Sequence, residues 1–215
     1  MVGYKFVGFD LDSTLIRTDE QYIDSIFQLT FDDLGISGDI ELKKRLWYSY
    51  RRDDVVRSVF DDVSLFWRTL HKHQKGTREF REDSISVYRI DDLRALAWLK
   101  NKRGLGLGVV TGSSAELLDI SLDVLGRDKF CYVTHVYNNH RSKADGILDF
   151  IKQVKASKDE VLYVGNDDGD VIAAREAGVD CALVKRDFLD EFRYFAPKLR
   201  PDHELRSISD IVTLF

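Results

Sequence analysis

From about residue 91 onward the chain alternates between short apolar runs and amphipathic stretches, and that rhythm admits few folds. The apolar runs are "LGLGVVT" (105–111), "CYVTHV" (131–136), "EVLYVG" (160–165) and "DCALV" (180–184), with an earlier one, "YKFVGFD", at 4–10. The stretches between them predict helices. One carries Leu93, Leu96, Ala97 and Lys100 and ends at "NKRG". The next, "SSAELLDISLDVLG", has Ser113 and Glu116 in capping-box spacing and Gly126 as a stop. "ADGILDFIKQVK" follows, then "DVIAAREAG", closed by Gly178. Short apolar strands separated by helices build a parallel sheet covered on both faces. The expected class is therefore α/β, a doubly wound, mainly parallel sheet with a Rossmann-like core.

Residues 17–88 break the rhythm. They show little strand character, and Tyr22, Ile26 and Leu29 fall on one helical face, as do Val55, Val59, Val63 and Phe66. The expected organisation is a core of 1–16 and 89–215 with an all-helical insert, 17–88, after the first strand. A chain of 215 residues is long enough for both. Lys plus Arg number 32 against 37 Asp plus Glu, a net charge of −5, which argues against a nucleic-acid partner. No apolar run has the length of a signal segment or a bilayer span. Cys131 and Cys181 lie in apolar, strand-like runs and read as buried free thiols. A cytoplasmic protein with no membrane contact and no obligate protein partner is expected.

In an open parallel sheet, ligands bind beyond the carboxyl ends of the strands. The first strand ends in Asp10, with Asp12 and Thr14 close behind; the second ends in Thr111, just before Gly112 and a helix start. The loop after the third holds Lys143, and the fourth runs into Asn166, Asp167, Asp168 and Asp170. Several acidic oxygens at one edge repel unless a hard cation such as Mg²⁺ binds. A hydroxyl, backbone N–H groups at a helix start and a lysine suit phosphate oxygens. One carboxylate can then be a nucleophile that forms an aspartyl-phosphate, and a second can move the proton. Each residue alone has an ordinary structural explanation. Four in chain order at four strand ends do not.

"FDLDSTL", "VVTGS", Lys143 and "YVGNDDGD" resemble the four motifs of the haloacid dehalogenase-like hydrolases, mostly Mg²⁺-dependent phosphatases, and the resemblance spans nearly the whole chain. The insert is similar to the helical cap of the phosphoglycolate phosphatase and β-phosphoglucomutase branch. The resemblance implies that Asp10 is the nucleophile and a metal ligand. It makes Asp12 the acid and base, giving its backbone carbonyl to the metal, and has Thr111, Gly112 and Lys143 hold the phosphate. The implied metal set is Asp10, Asp12, Asn166, Asp167 and Asp170.

Three positions depart from that pattern. Asn166 stands where the fourth motif usually has Asp, Ala144 where Pro often follows the lysine, and Arg17 where an acidic residue is common. Asn166 or Asp167 is expected to complete the metal shell, and Arg17 to face an anionic substrate. The expected function is hydrolysis of a small phosphorylated metabolite. A phosphosugar mutase on the same fold and a binding protein with a degenerate site are the alternatives. A dehalogenase is disfavoured by the second acid, Asp12. His71 and His73, two apart on a helix, point in different directions and make a poor metal site. "YSYRRDDVVR" is neutralised by Asp53 and Asp54, and "GLGLGV" lies inside a strand rather than opening a helix.

Overall fold

The computed structural model describes residues 3–49, 52–77, 82–113, 115–136, 142–186 and 200–215, without the side chain of Glu116. Strand β1 (Phe6–Phe9) opens the chain, and β2 (Ile16–Thr18) follows. Helices α1 (Glu20–Leu34), α2 (Ile40–Tyr48), α3 (Arg52–Arg57) and α4 (Val63–Gly76) come next. Then β3 (Ile85–Val87), α5 (Ile90–Arg103), β4 (Gly106–Thr111), α6 (Ala115–Leu125), β5 (Tyr132–His135) and α7 (Lys143–Val154) alternate. The chain closes with β6 (Val161–Gly165), α8 (Asp168–Ala177), β7 (Asp180–Val184) and β8 (His203–Leu205).

One sheet has the order β5-β4-β1-β6-β7-β8, with every described pairing parallel. Val161 to Val164 are fully buried and Val109 and Val110 likewise, as a sheet covered on both faces requires. The doubly wound α/β expectation holds. Such strands read as continuous apolar runs because no face is left for polar residues.

The "GLGLG" run has a packing explanation. Gly104 ends α5 in the left-handed conformation, φ 69°, which a side chain rarely adopts. Gly106 and Gly108 make room for aromatic rings. A Cβ at Gly106 would lie 2.5 Å from the Phe6 ring, and one at Gly108 would lie 2.6 Å from the Phe150 ring.

The described residues divide into two compact units: those of Met1–Arg17, Ser86–Phe188 and Phe195–Phe215, and those of Thr18–Ile85. β2 pairs with β3 in a two-stranded ribbon, where the chain passes from one unit to the other and back. The helical unit has its own core. Phe27, Phe31, Phe66 and Trp47 form an aromatic cluster around Tyr22, Ile23, Leu46 and Val56. Burying each such ring contributes about 1.5–3 kcal/mol.

Several expectations need correction. Leu29 is exposed, because the buried stripe of α1 runs through Tyr22, Ile23, Ile26, Phe27, Thr30 and Phe31. Val55 and Phe66 are buried but belong to two helices. Asp62 caps the second by accepting from the Leu65 N–H, and this stops the first pattern. Cys131 is exposed and precedes β5, whereas Cys181 is buried; both are free thiols. Helix α6 begins at Ala115, so the Ser113 box does not open it, and Glu116's side chain lies outside the described residues. Among the described residues no helix is long and apolar enough to cross a membrane.

Candidate active site

All six strands run in one direction, so the ends of β1, β4 and β6 lie along one edge, with Lys143 opening the helix after β5. Asp10 follows β1 directly, and its N–H donates to the Val164 carbonyl of β6 at 2.8 Å. A tight turn comes next. The N–H groups of Leu15 and Ile16 both donate to the Leu11 carbonyl, and Ser13 takes a left-handed φ of 63°. Within the turn, the Thr14 hydroxyl reaches Asn166 Oδ1 at 2.7 Å and Asp10 Oδ2 at 3.4 Å. The first and fourth motifs thus meet on one hydroxyl.

Lys143 is the first residue of α7. Ser142 caps that helix in a reciprocal box with Asp145, which fixes where the lysine side chain starts. Its Nζ lies 3.0 Å from Asp10 Oδ1 and 2.6 Å from Asp170 Oδ1. The other oxygen of Asp170 accepts from the N–H groups of Asn166 and Asp167, and Asp167 Oδ1 accepts from the Asp170 N–H. Asp170 therefore anchors the lysine and the loop with both its oxygens, and Asp167 serves as the N-cap of α8. Thr111 is buried, its hydroxyl accepting from the Ser113 N–H at 3.1 Å, and the Ser113 hydroxyl donates to Asp12 Oδ2.

The structure thus brings together Asp10, Lys143, Asn166, Asp167 and Asp170 through direct contacts, and links Asp12 to Thr111 through Ser113. Gly112 is half-buried between Thr111 and Ser113. Arg17 stands exposed on β2, and among the described contacts it has no hydrogen bond or ion pair to these residues. From the sequence Thr14 was given no role, and Ser113 only a place in a helix capping box. Thr14 lies within the first motif and Ser113 within the second, so their neighbours pointed to both.

The electrostatics are lopsided. Burial pushes the Asp10 carboxyl well above the ordinary carboxylate range; Lys143 pulls it down, and Asp170, Asp167 and Asp12 push it up again. Burial works against the Lys143 ammonium, yet Asp10 and Asp170 hold its pKa well above the usual lysine value. One lysine does not balance this many acids. Among the described residues no cluster of three or more His, Cys, Asp or Glu stands ready to hold a metal. The oxygens gathered around Lys143 and Thr14 are those of the Asp10 and Asp170 carboxylates and the Asn166 amide, hard donors of the kind that suit Mg²⁺. A carboxyl short of counter-charge fits the same cation.

The chain is similar to known proteins along most of its length. Residues 7–184 match the family model described as haloacid dehalogenase-like hydrolase. A pyrophosphatase PpaX from Halalkalibacterium halodurans is 28% identical over 217 residues, covering 97% of this chain and 95% of that protein. A haloacid dehalogenase-like hydrolase from Streptococcus pneumoniae superposes with a TM-score of 0.78 at 18% identity, over 100% of both chains. CbbY from Rhodobacter sphaeroides, solved in complex with phosphate, superposes at 0.73 and 18% identity, over 97% of this chain and 96% of that one. With a family model matched across the four strand ends and their side chains converging as described, the chain belongs to the haloacid dehalogenase-like hydrolases.

Proposed function

We propose that the protein is a Mg²⁺-dependent phosphatase that hydrolyses a small phosphorylated compound through an aspartyl-phosphate on Asp10. The observation that carries this reading is the lysine bridge. Lys143 Nζ touches both Asp10 and Asp170, so a cation stands beside the carboxylate that would attack phosphorus. The PpaX relative's name and the phosphate bound to CbbY support phosphate chemistry of this class. Inorganic pyrophosphate therefore belongs among the first substrates to test.

In the first step an Asp10 oxygen attacks phosphorus, the bond to the leaving oxygen breaks, and Asp12 gives that oxygen its proton. In the second, Asp12 takes a proton from water as the water attacks phosphorus, releasing phosphate and Asp10. Ser113, donating to Asp12, orients that carboxyl. Thr111, the Gly112 N–H and Lys143 hold the phosphoryl oxygens as their charge builds. When bound, Mg²⁺ neutralises phosphoryl charge and favours ionised Asp10. Asp10, the Asp12 carbonyl and Asn166 would hold it. Asn166 is preferred to Asp167 because it shares the Thr14 hydroxyl with Asp10, whereas Asp167 caps a helix. The inserted helical unit is assigned the part of a cap that selects substrate.

The test is release of phosphate from p-nitrophenyl phosphate and from pyrophosphate, with and without Mg²⁺, by wild type and by Asp10→Asn. Mg²⁺-dependent turnover that falls more than about tenfold in the variant, at least 1.4 kcal/mol of barrier, supports the reading. Equal turnover by both proteins refutes it.

A further inference from the structure

We propose that Arg186 is a positioning residue, clamping the turn behind Asp10 by its two main-chain carbonyls. The proposal rests on the reading of Asp10 as nucleophile. Arg186 follows β7 and is only 6% exposed, an unusual place for a guanidinium unless its donors are used. Its Nε donates to the Ser13 carbonyl at 3.2 Å and its Nη2 to the Thr14 carbonyl at 2.8 Å. Its guanidinium carbon lies 3.6 Å from the centre of the Tyr88 ring, within cation–π range. Tyr88 in turn shares a side-chain hydrogen bond with Ser13. All four residues belong to one compact unit.

The clamp grips the part of the turn that most needs holding. Ser13 is one of two non-glycine residues described with positive φ, a conformation that L side chains resist. Thr14, its neighbour, places its hydroxyl on both Asp10 and Asn166. A guanidinium on the Ser13 and Thr14 carbonyls therefore acts on the nucleophile and the neighbouring amide through Thr14. Lysine could not substitute fully. Its ammonium is a point charge, whereas the planar fork serves two carbonyls while stacking on a ring.

The test compares wild type with Arg186→Met, Arg186→Lys and Tyr88→Leu, each checked for folding by circular dichroism. Two readouts are taken: kcat and KM on p-nitrophenyl phosphate with Mg²⁺, and amide hydrogen exchange of the 11–16 segment by mass spectrometry. A misplacement of about 1 Å can cost about 10²-fold in rate, so Arg186→Met should lower kcat about 10- to 100-fold. Its KM should stay within about twofold, because substrate groups are untouched. Exchange in 11–16 should quicken while the helices exchange as before, and Arg186→Lys should recover only part of both losses. Should Arg186→Met not fold, the lysine and Tyr88→Leu variants carry the same comparison. Unchanged exchange in a folded variant overturns the clamp, as does full recovery by lysine. An inactive wild type overturns the phosphatase reading, and exchange in the turn then still decides the clamp.

Discussion

Replacing Lys143 by methionine keeps most of the side-chain stem and removes the charge between Asp10 and Asp170. The Asp170 side chain is 0% exposed and that of Asp10 is 8% exposed, so neither carboxylate can turn to water. Removing one partner of a buried ion pair costs about 3–5 kcal/mol. Lys143 itself keeps 23% exposure, and water entering the vacated place should hold the loss near the low end, about 3 kcal/mol. With a urea slope of roughly 2–3 kcal/mol/M, the unfolding midpoint should fall by about 1 M. The measurement is urea unfolding followed by circular dichroism, in chelator so that no divalent cation replaces the ammonium. The sign with pH follows from Asp10, whose folded-state pKa is raised by burial. A carboxyl raised in the folded state is penalised above that raised value, and the penalty vanishes below its unfolded pKa of about 3.9. Removing Lys143 raises the folded-state pKa further, so the Asp10 share of the deficit appears only above about 8, and the deficit of Lys143→Met should grow as pH rises past that value. Lys143, held above its ordinary value, stays charged over this window and does not itself titrate. A deficit under about 1 kcal/mol, the range of an exposed pair, or one that grows as pH falls, would refute the reasoning.

Other consequences can be checked alongside. Asp12→Asn should slow both formation and breakdown of the aspartyl-phosphate by about 10²–10⁴, measured by rapid quench, with the fold intact. Asn166→Asp should lower the Mg²⁺ concentration for half-maximal activity, because a carboxylate binds a hard cation more strongly than an amide; an unchanged requirement would remove Asn166 from the metal shell. Gly165→Ala should destabilise by about 1–3 kcal/mol in a denaturant melt and lose activity. Its Cβ would come within 2.2 Å of the Asp170 side chain, which Lys143 and two backbone N–H groups hold in place.

The parallel strands could be read from the sequence because both their faces are buried, which turns them into unbroken apolar runs. Three-residue strands could not. β2 is "IRT" and β8 is "HEL", each with a charged residue at its centre or start and too short to show a period. Leu29 misled because a strict i, i+3, i+4 pattern does not say which side of α1 meets the core. Asp10, Thr111, Lys143 and the "NDDGD" loop were readable since each ends a strand or opens the next helix. The division of labour among the acids was not. Asp167 and Asp170 resolve into a cap and an anchor only once the capping box at α8 is seen. Arg186 left no trace in the sequence, for it works on main-chain carbonyls 172 and 173 positions away.

The most direct test of the central claim is chemical capture of phosphorylated Asp10. Wild type and Asp10→Asn would be mixed with p-nitrophenyl phosphate and Mg²⁺, quenched during turnover, reduced with borohydride and mapped by mass spectrometry. Borohydride converts a phosphorylated aspartate to homoserine. Homoserine is expected at position 10 in the wild type and at no position in the variant. Continued turnover with no modification at position 10, or with modification at another aspartate, would contradict that claim.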